Sequence, residues 1–232
     1  LESALAATAG LPSVGEIWIA QGRYVPVSRA TPSDPRSVRF VVRDGVAIRG
    51  GFAGDEHHAH DANPRANRTI LSGDIAGNDS GNFGNRSENA YTVLVSGERL
   101  TQPPVLEGLV ISGGNATGLS AAGGADLLGV SLTFRNCDFI SNQGGARGGA
   151  ASADAGNAVF DRCRFFGNTA TSGAAVHINP VSIGGRVPGQ PMFMNCLFTG
   201  NTATGGANGR GGAVTCIGVT PAFLNCTIAG NS

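Results

Sequence analysis

The chain has 232 residues, 37 of them glycine and 14% charged, and its 16 basic and 16 acidic side chains give a formal net charge of zero. Neutrality argues against a nucleic-acid groove, and because every basic residue is arginine the chain holds no P-loop lysine, Schiff-base lysine or Ser-Lys dyad. No apolar run approaches the length of a membrane helix. The chain opens without the basic and apolar regions of a signal peptide and stops at Ser232, which fits an excised piece or a chain whose signal has been removed.

In chain order, residues 1–9 read as a short amphipathic helix that covers the edge of the first strands. Glu16-Ile17-Trp18-Ile19-Ala20 alternates as a strand and continues to Tyr24. Further strands are predicted at 38–42, 46–49, 69–71, 91–95 and 105–111. Two polar loops, 53–68 and 74–89, separate them. The first carries His57, His58 and His60 beside Asp55, Glu56 and Asp61, a donor set suited to a transition metal such as Zn²⁺, although no regular element holds it. The second offers Asp74, Asn78 and Asp79 as oxygen ligands for a structural Ca²⁺. Its spacing is not that of an EF-hand, and an Asx-turn loop held by its own side chains is the competing reading.

From residue 105 onward one motif recurs: NCDFISN from Asn136, RCRFFGN from Arg162, NCLFTGN from Asn195 and NCTIAGN from Asn225. Each copy has Phe three residues before its Cys (Phe134, Phe160, Phe193, Phe223). Spacing within the motif is constant while the intervals between copies vary, as in a solenoid whose coils bury their inner faces against each other. The runs are short, β-branched or aromatic and bounded by Gly and Asn. They predict an all-β parallel β-helix with residues 1–104 as cap and first irregular coils and 105–232 as regular coils, in one continuous domain.

In-register stacking places Phe139, Phe165, Phe198 and Ile228 in an inner apolar column beside Cys137, Cys163, Cys196 and Cys226. It stacks Asn142, Asn168, Asn201 and Asn231 at a turn, where each amide bonds its neighbours. Small-residue corners at Gly123-Gly124-Ala125, Gly148-Gly149-Ala150, Gly173-Ala174-Ala175 and Gly211-Gly212-Ala213 are read as equivalent. The motif cysteines read as buried free thiols, with Cys216 as a fifth inward residue. Strand alternation turns His177 outward. Asp126, Asp138, Asp154 and Asp161 repeat at no common coil position, and Arg135, Arg162 and Arg164 are expected in surface ion pairs. Gly-rich strings such as GGNATG and GRGGAV lack the strand-before, helix-after context of a dinucleotide site.

The segments GEIWIAQGRY, GVAIRGGFAG, TILSGDIAGND, AYTVL and LEGLVISGGNATG, together with the NCxFxxN copies after them, resemble bacterial right-handed parallel β-helix proteins with polymorphic-outer-membrane-protein-like repeats. The resemblance implies right-handed winding, export and an extracellular or outer-surface location. It suggests a non-catalytic adhesive or structural shaft meeting glycans, cell-surface proteins or other copies. Two alternatives stand beside it. One is a polysaccharide lyase or glycoside hydrolase of the β-helix type, and the other is a filament or matrix subunit that stacks end to end through open coil edges.

Overall fold

The computed structural model describes residues 1–8, 15–96, 100–154, 156–179, 189–206 and 209–232. Helix α1 (Glu2–Thr8) comes first, and Ala9 of the predicted helix lies outside the described residues. The first coil holds β1 (Glu16–Ala20), β2 (Gly22–Tyr24) and β3 (Phe40–Val42). The second holds β4 (Ala47–Phe52), β5 (Thr69–Ser72) and β6 (Leu94–Ser96), and the third β7 (Val105–Glu107), β8 (Leu109–Ser112) and β9 (Ala125–Leu128). The motif coils come after these: β10 (Thr133–Arg135), β11 (Asp138–Ile140) and β12 (Ala151–Asp154), then β13 (Val159–Asp161), β14 (Arg164–Phe166), β15 (Thr169–Ala170) and β16 (Val176–Ile178). Next come β17 (Met192–Met194), β18 (Leu197–Thr199), β19 (Thr202–Ala203) and β20 (Val214–Cys216), and last β21 (Ala222–Leu224) and β22 (Thr227–Ala229).

Each of the first six coils contributes one strand in turn to each of three stacked parallel sheets, and the last contributes to the first two. The first is β1-β4-β7-β10-β13-β17-β21, the second β2-β5-β8-β11-β14-β18-β22 and the third β3-β6-β9-β12-β16-β20, with β15 and β19 forming a short fourth pair. Among the described residues the chain is all-β apart from α1 and short 3-10 turns, and its strands wind as a parallel β-helix.

The motif's spacing arises from two left-handed backbone corners. The residue before each Cys has positive φ: Asn136 at 49°, Arg162 at 54°, Asn195 at 54° and Asn225 at 53°. The residue before each ladder Asn does too: Ser141 at 52°, Gly167 at 62°, Gly200 at 66° and Gly230 at 61°. These corners turn the chain out of the first sheet and then out of the second, and Asn and Gly are the residues that tolerate them. Gly108, at φ 68°, makes the first corner in the preceding coil. The stretch 105–111, predicted as one strand, is consequently two strands on different sheets.

Two aromatic columns interlock, buried from Phe134 to Phe198 and uncovered at the last coil, where Phe223 is 38% exposed and Ile228, predicted as inner, is 51% exposed. Phe134, Phe160, Phe193 and Phe223 share one register on the first sheet, and Phe139, Phe165 and Phe198 share one with Ile228 on the second. Rings within a column stack, as Phe165 on Phe198 at 4.5 Å, while rings across columns meet edge-on, as Phe134 and Phe139 at 5.1 Å and 77°. Both geometries suit the aromatic quadrupole. One core cluster runs from Leu5 to Phe198.

The corner alignment differs at one place. Gly148, Gly173 and Gly211 are equivalent and have φ of 43°, 61° and 60°, but Ala125 pairs with Ala151, so the triplet beginning at Gly123 stands one residue out of step. Among the described residues, no helix is long and apolar enough to cross a membrane.

Candidate functional site

At the ladder turn, Asn142 Nδ2 donates to Asn168 Oδ1 (3.1 Å), Asn168 Nδ2 to Asn201 Oδ1 (2.9 Å) and Asn201 Nδ2 to Asn231 Oδ1 (2.7 Å). Each second amide proton reaches a carbonyl one coil earlier: Ile111, Phe139 and Phe165. Each Oδ1 also accepts a backbone N–H from the preceding coil, as Asn168 Oδ1 does from Asn142 N (3.0 Å). The motif thiols donate backwards in the same sense, Cys137 to Leu106 O, Cys163 to Phe134 O and Cys196 to Phe160 O. All five cysteines are free. Burial pushes the Cys163 thiol well above its ordinary value, which makes it inert as a nucleophile. Cys216 shares register with buried Ile178 but is exposed on β20, the last strand of the third sheet.

The calcium candidates are partly drawn together. Asp74, Asp79 and Glu88 bring carboxylate oxygens within 4.8 Å of one another, whereas Asn78 supplies its backbone. Asp74 accepts from the N–H groups of Gly77 (2.8 Å), Asn78 (3.1 Å) and Asp79 (3.4 Å) and meets Arg23 at 3.3 Å. Asp79 meets Asn89 Nδ2 at 3.0 Å and the buried Arg86 at 3.2 Å. N–H donors and two guanidinium groups thus occupy oxygens of Asp74 and Asp79, as in an internally held Asx loop, while Glu88 Oε1 is buried with no hydrogen-bond partner among the described residues. Burial, with Asp74 and Glu88 nearby, nonetheless raises the Asp79 carboxyl above its ordinary value.

The histidine loop forms no three-ligand cluster among the described residues. His58 and His60 stack at 5.1 Å, His60 lies 3.4 Å from Asp61, and no contact brings His57 to them.

His177 departs from the expected exposure. It stands on the outer face of the third sheet in one register with Asp126, Ser152 and Thr215, yet it is 4% exposed. Asp154 is held beside it from two sides: Asn179 N–H donates to Asp154 Oδ1 (2.9 Å), and Arg147 reaches Asp154 Oδ2 (2.8 Å) from the turn before β12. Ser152 Oγ and His177 Nδ1 have no hydrogen-bond partner among the described residues, His177 Nδ1 lying 3.7 Å from Asp154 Oδ1. Burial, then the charge of Asp154, pushes the Asp126 carboxyl up to about 6 against the pull of Arg147 and Arg39. Two carboxylates on one sheet face have acid–base potential, but Asp154 is sealed at 1% exposure beneath its partners.

A recess is built by loop 53–68. Glu56 accepts the Ala53 and Gly54 N–H groups, which hold its carboxyl below the ordinary range, and Asp61 accepts His58 N–H (3.1 Å). Pro64 then seats against the corner of the second and third coils. A Cβ on Gly51 would stand 2.7 Å from the Pro64 nitrogen, and one on Gly108 2.7 Å from Pro64 Cγ, so only glycine admits this approach. Beyond Pro64 the loop hangs Arg65 and Arg68 opposite the corner residues Asn136, Arg162 and Asn195, enclosing a groove of about 730 Å³. Asp138 and Arg164 complete its floor, joined by a paired hydrogen bond that pushes the Arg164 guanidinium further up. A smaller hollow of about 330 Å³, with His60, Arg49 and Glu107, adjoins it through Ala62, Pro64 and Asn136.

The expected ion pairs of this surface are present in graded form: Arg164 pairs closely with Asp138, Arg135 lies 3.7 Å from Asp161, and Arg162 reaches Asp161 only at 4.0 Å. Arg65 and Arg68 make no ion pair among the described residues. Sequence reasoning passed over both. The available signal was their place after Asn63-Pro64 in a loop bracketed by glycines, and it does not say where the loop lands.

Fold and site together define a parallel β-helix that carries an arginine- and asparagine-lined groove on one corner. Comparison with family models, curated proteins and solved structures gave no match.

Proposed function

We propose that this chain is a non-catalytic β-helix module, a rigid structural and adhesive shaft that presents its corner and loops to partners outside the cell or on its outer surface. The observation that carries this reading is the unbroken polar and aromatic stacking: an amide ladder through four coils and two phenylalanine columns beside it. Such a body resists local opening, because each inner rung is bonded on both sides. Export and surface location are carried by the resemblance of the motifs.

Two finer features belong to the same reading. The winding is right-handed, since crossovers between parallel strands of one sheet almost always are. Helix α1 is the N-terminal cap: Leu5 is 4% exposed within the core cluster, and the Glu2 carboxylate accepts the N–H groups of Val27 (2.8 Å) and Ser28. The cap covers β1, β2 and β3, which are the outermost strands of their sheets at that end.

A reducing-end assay on acidic and neutral polysaccharides tests the absence of catalysis. No new chain ends are expected. New ends that disappear in Asp154→Asn would replace this reading with a glycoside hydrolase or lyase. Light scattering against concentration tests the shaft as a separate unit, and a mass that climbs steadily would make it a filament subunit instead.

A further inference from the structure

We infer that the groove under loop 53–68 is a binding site for an anionic polysaccharide chain, read by Arg65, Arg68 and Arg162 at its acidic groups and by Asn136 and Asn195 at its hydroxyls. The inference rests on the presentation reading above and names the ligand class for it.

Charge is the first ground. In a chain of zero formal net charge, this recess gathers four arginines against one carboxylate, Asp138. Arg65, Arg68 and Arg162 are exposed, and none has a close acidic partner among the described residues. Guanidinium groups bind carboxylate and sulfate in paired hydrogen bonds, so they select acidic sugars rather than neutral ones.

Backbone strain is the second ground and is independent of charge. At the corner before the motif Cys, the other copies carry Asn136, Asn195 and Asn225, and the coil before them carries Gly108. Arg162 alone places a long side chain at this left-handed position, with φ 54°. Asparagine, which the other three copies carry, would lower the strain at this corner, so the arginine stands there against the local preference. A strained residue whose side chain opens into a recess is a mark of function.

Shape and chemistry set the ligand class. Asn136, Arg162 and Asn195 come from three consecutive coils, each about 4.8 Å further along the axis. Amide and guanidinium therefore alternate along an open trough, which suits an extended chain bearing both hydroxyls and anions. Among the described residues no aromatic side chain lines the groove to stack a base, and the neutral chain has no long-range field to draw in a nucleic acid.

The test is equilibrium binding of the whole chain to polygalacturonate, heparin, dextran and single-stranded oligothymidylate, at low and high salt. Polygalacturonate or heparin should bind, more weakly at high salt, and dextran should not; the stronger of the two identifies the preferred acidic group. Arg65→Ser with Arg68→Ser should weaken that binding roughly tenfold or more with an unchanged melting temperature. Arg162→Asn should raise the melting temperature while weakening binding. No binding to either acidic polymer overturns the inference, as do equal binding of dextran, tighter binding of the oligonucleotide, or affinity unaltered in these variants. Such results leave the shaft reading intact, because that reading fails on new chain ends or on open-ended assembly.

Discussion

At the residue scale, two kinds of position dominate. The first is the left-handed corner, where Ser141 occupies the site that Gly167, Gly200 and Gly230 hold in later coils. Glycine removes the Cβ clash but adds unfolded-state freedom, so Ser141→Gly should stabilise the fold by about 0.5–1 kcal/mol, read as a higher urea midpoint at constant slope. A lower midpoint would show that the serine side chain contributes more than its corner costs. The second is the ladder amide. Asn168→Ala leaves Asn142 Nδ2 and the Asn142 N–H without their acceptor in a fully buried turn, so a loss of roughly 2–5 kcal/mol is expected in chemical denaturation.

At the element scale, the sheets behave as columns rather than as separate strands. Phe165 stacks on Phe139 and Phe198 within its column and meets Phe160 and Phe193 edge-on, so Phe165→Ala opens a cavity shared by several coils. A loss of about 3–5 kcal/mol is expected from calorimetry, whereas Phe165→Asp buries a charge without a partner and should abolish the native circular dichroism. On the third sheet's outer face, the Asp126 carboxyl stands at about 6 in the folded state against an ordinary value of 3.8. A raised folded pKa means that the native state holds the proton more tightly. The stabilisation is therefore full below about pH 4 and is lost as pH rises through about 6, by up to about 3 kcal/mol. Asp126→Asn should flatten that slope: the variant should be more stable than the parent chain at neutral pH and close to it at pH 4. Parallel stability–pH curves for the two would show that Asp126 does not carry the slope.

At the scale of the whole molecule, the groove depends on contacts that join distant coils. Gly108→Ala would place a Cβ 2.7 Å from Pro64 Cγ and 2.9 Å from Gly50 O at a positive φ, so it should lift loop 53–68 and carry Arg65 and Arg68 away from Arg162. The expected outcome is easier proteolysis within the loop with the motif coils still folded. The core that stays behind is continuous, and β-helix stability is largely a sum of coil-to-coil contacts, so damage in an early coil remains local.

The coil stack was legible from the sequence because in-register pairing gives every copy of a motif position the same surroundings. Phe139, Asn142 and Cys137 meet the same neighbours as Phe165, Asn168 and Cys163, and selection for one environment leaves one repeated residue type. The companion column of Phe134, Phe160, Phe193 and Phe223 was visible as a repeat, but its inward stacking required the corner geometry. The features outside the repeat were decided by tertiary structure alone. Glu88 joins Asp74 and Asp79, Asn179 and Arg147 close on Asp154 beside the buried His177, and Arg65 and Arg68 face Arg162 across a groove. Each depends on how a long loop packs back on the stack, and that packing turns on single close approaches, such as Pro64 on Gly51 and Gly108, that no periodic pattern records. Sequence alone therefore determined the stacked β architecture, through a local rule repeated coil by coil, whereas the docking of non-repeating loops decided where charge and hydrogen-bonding groups converge.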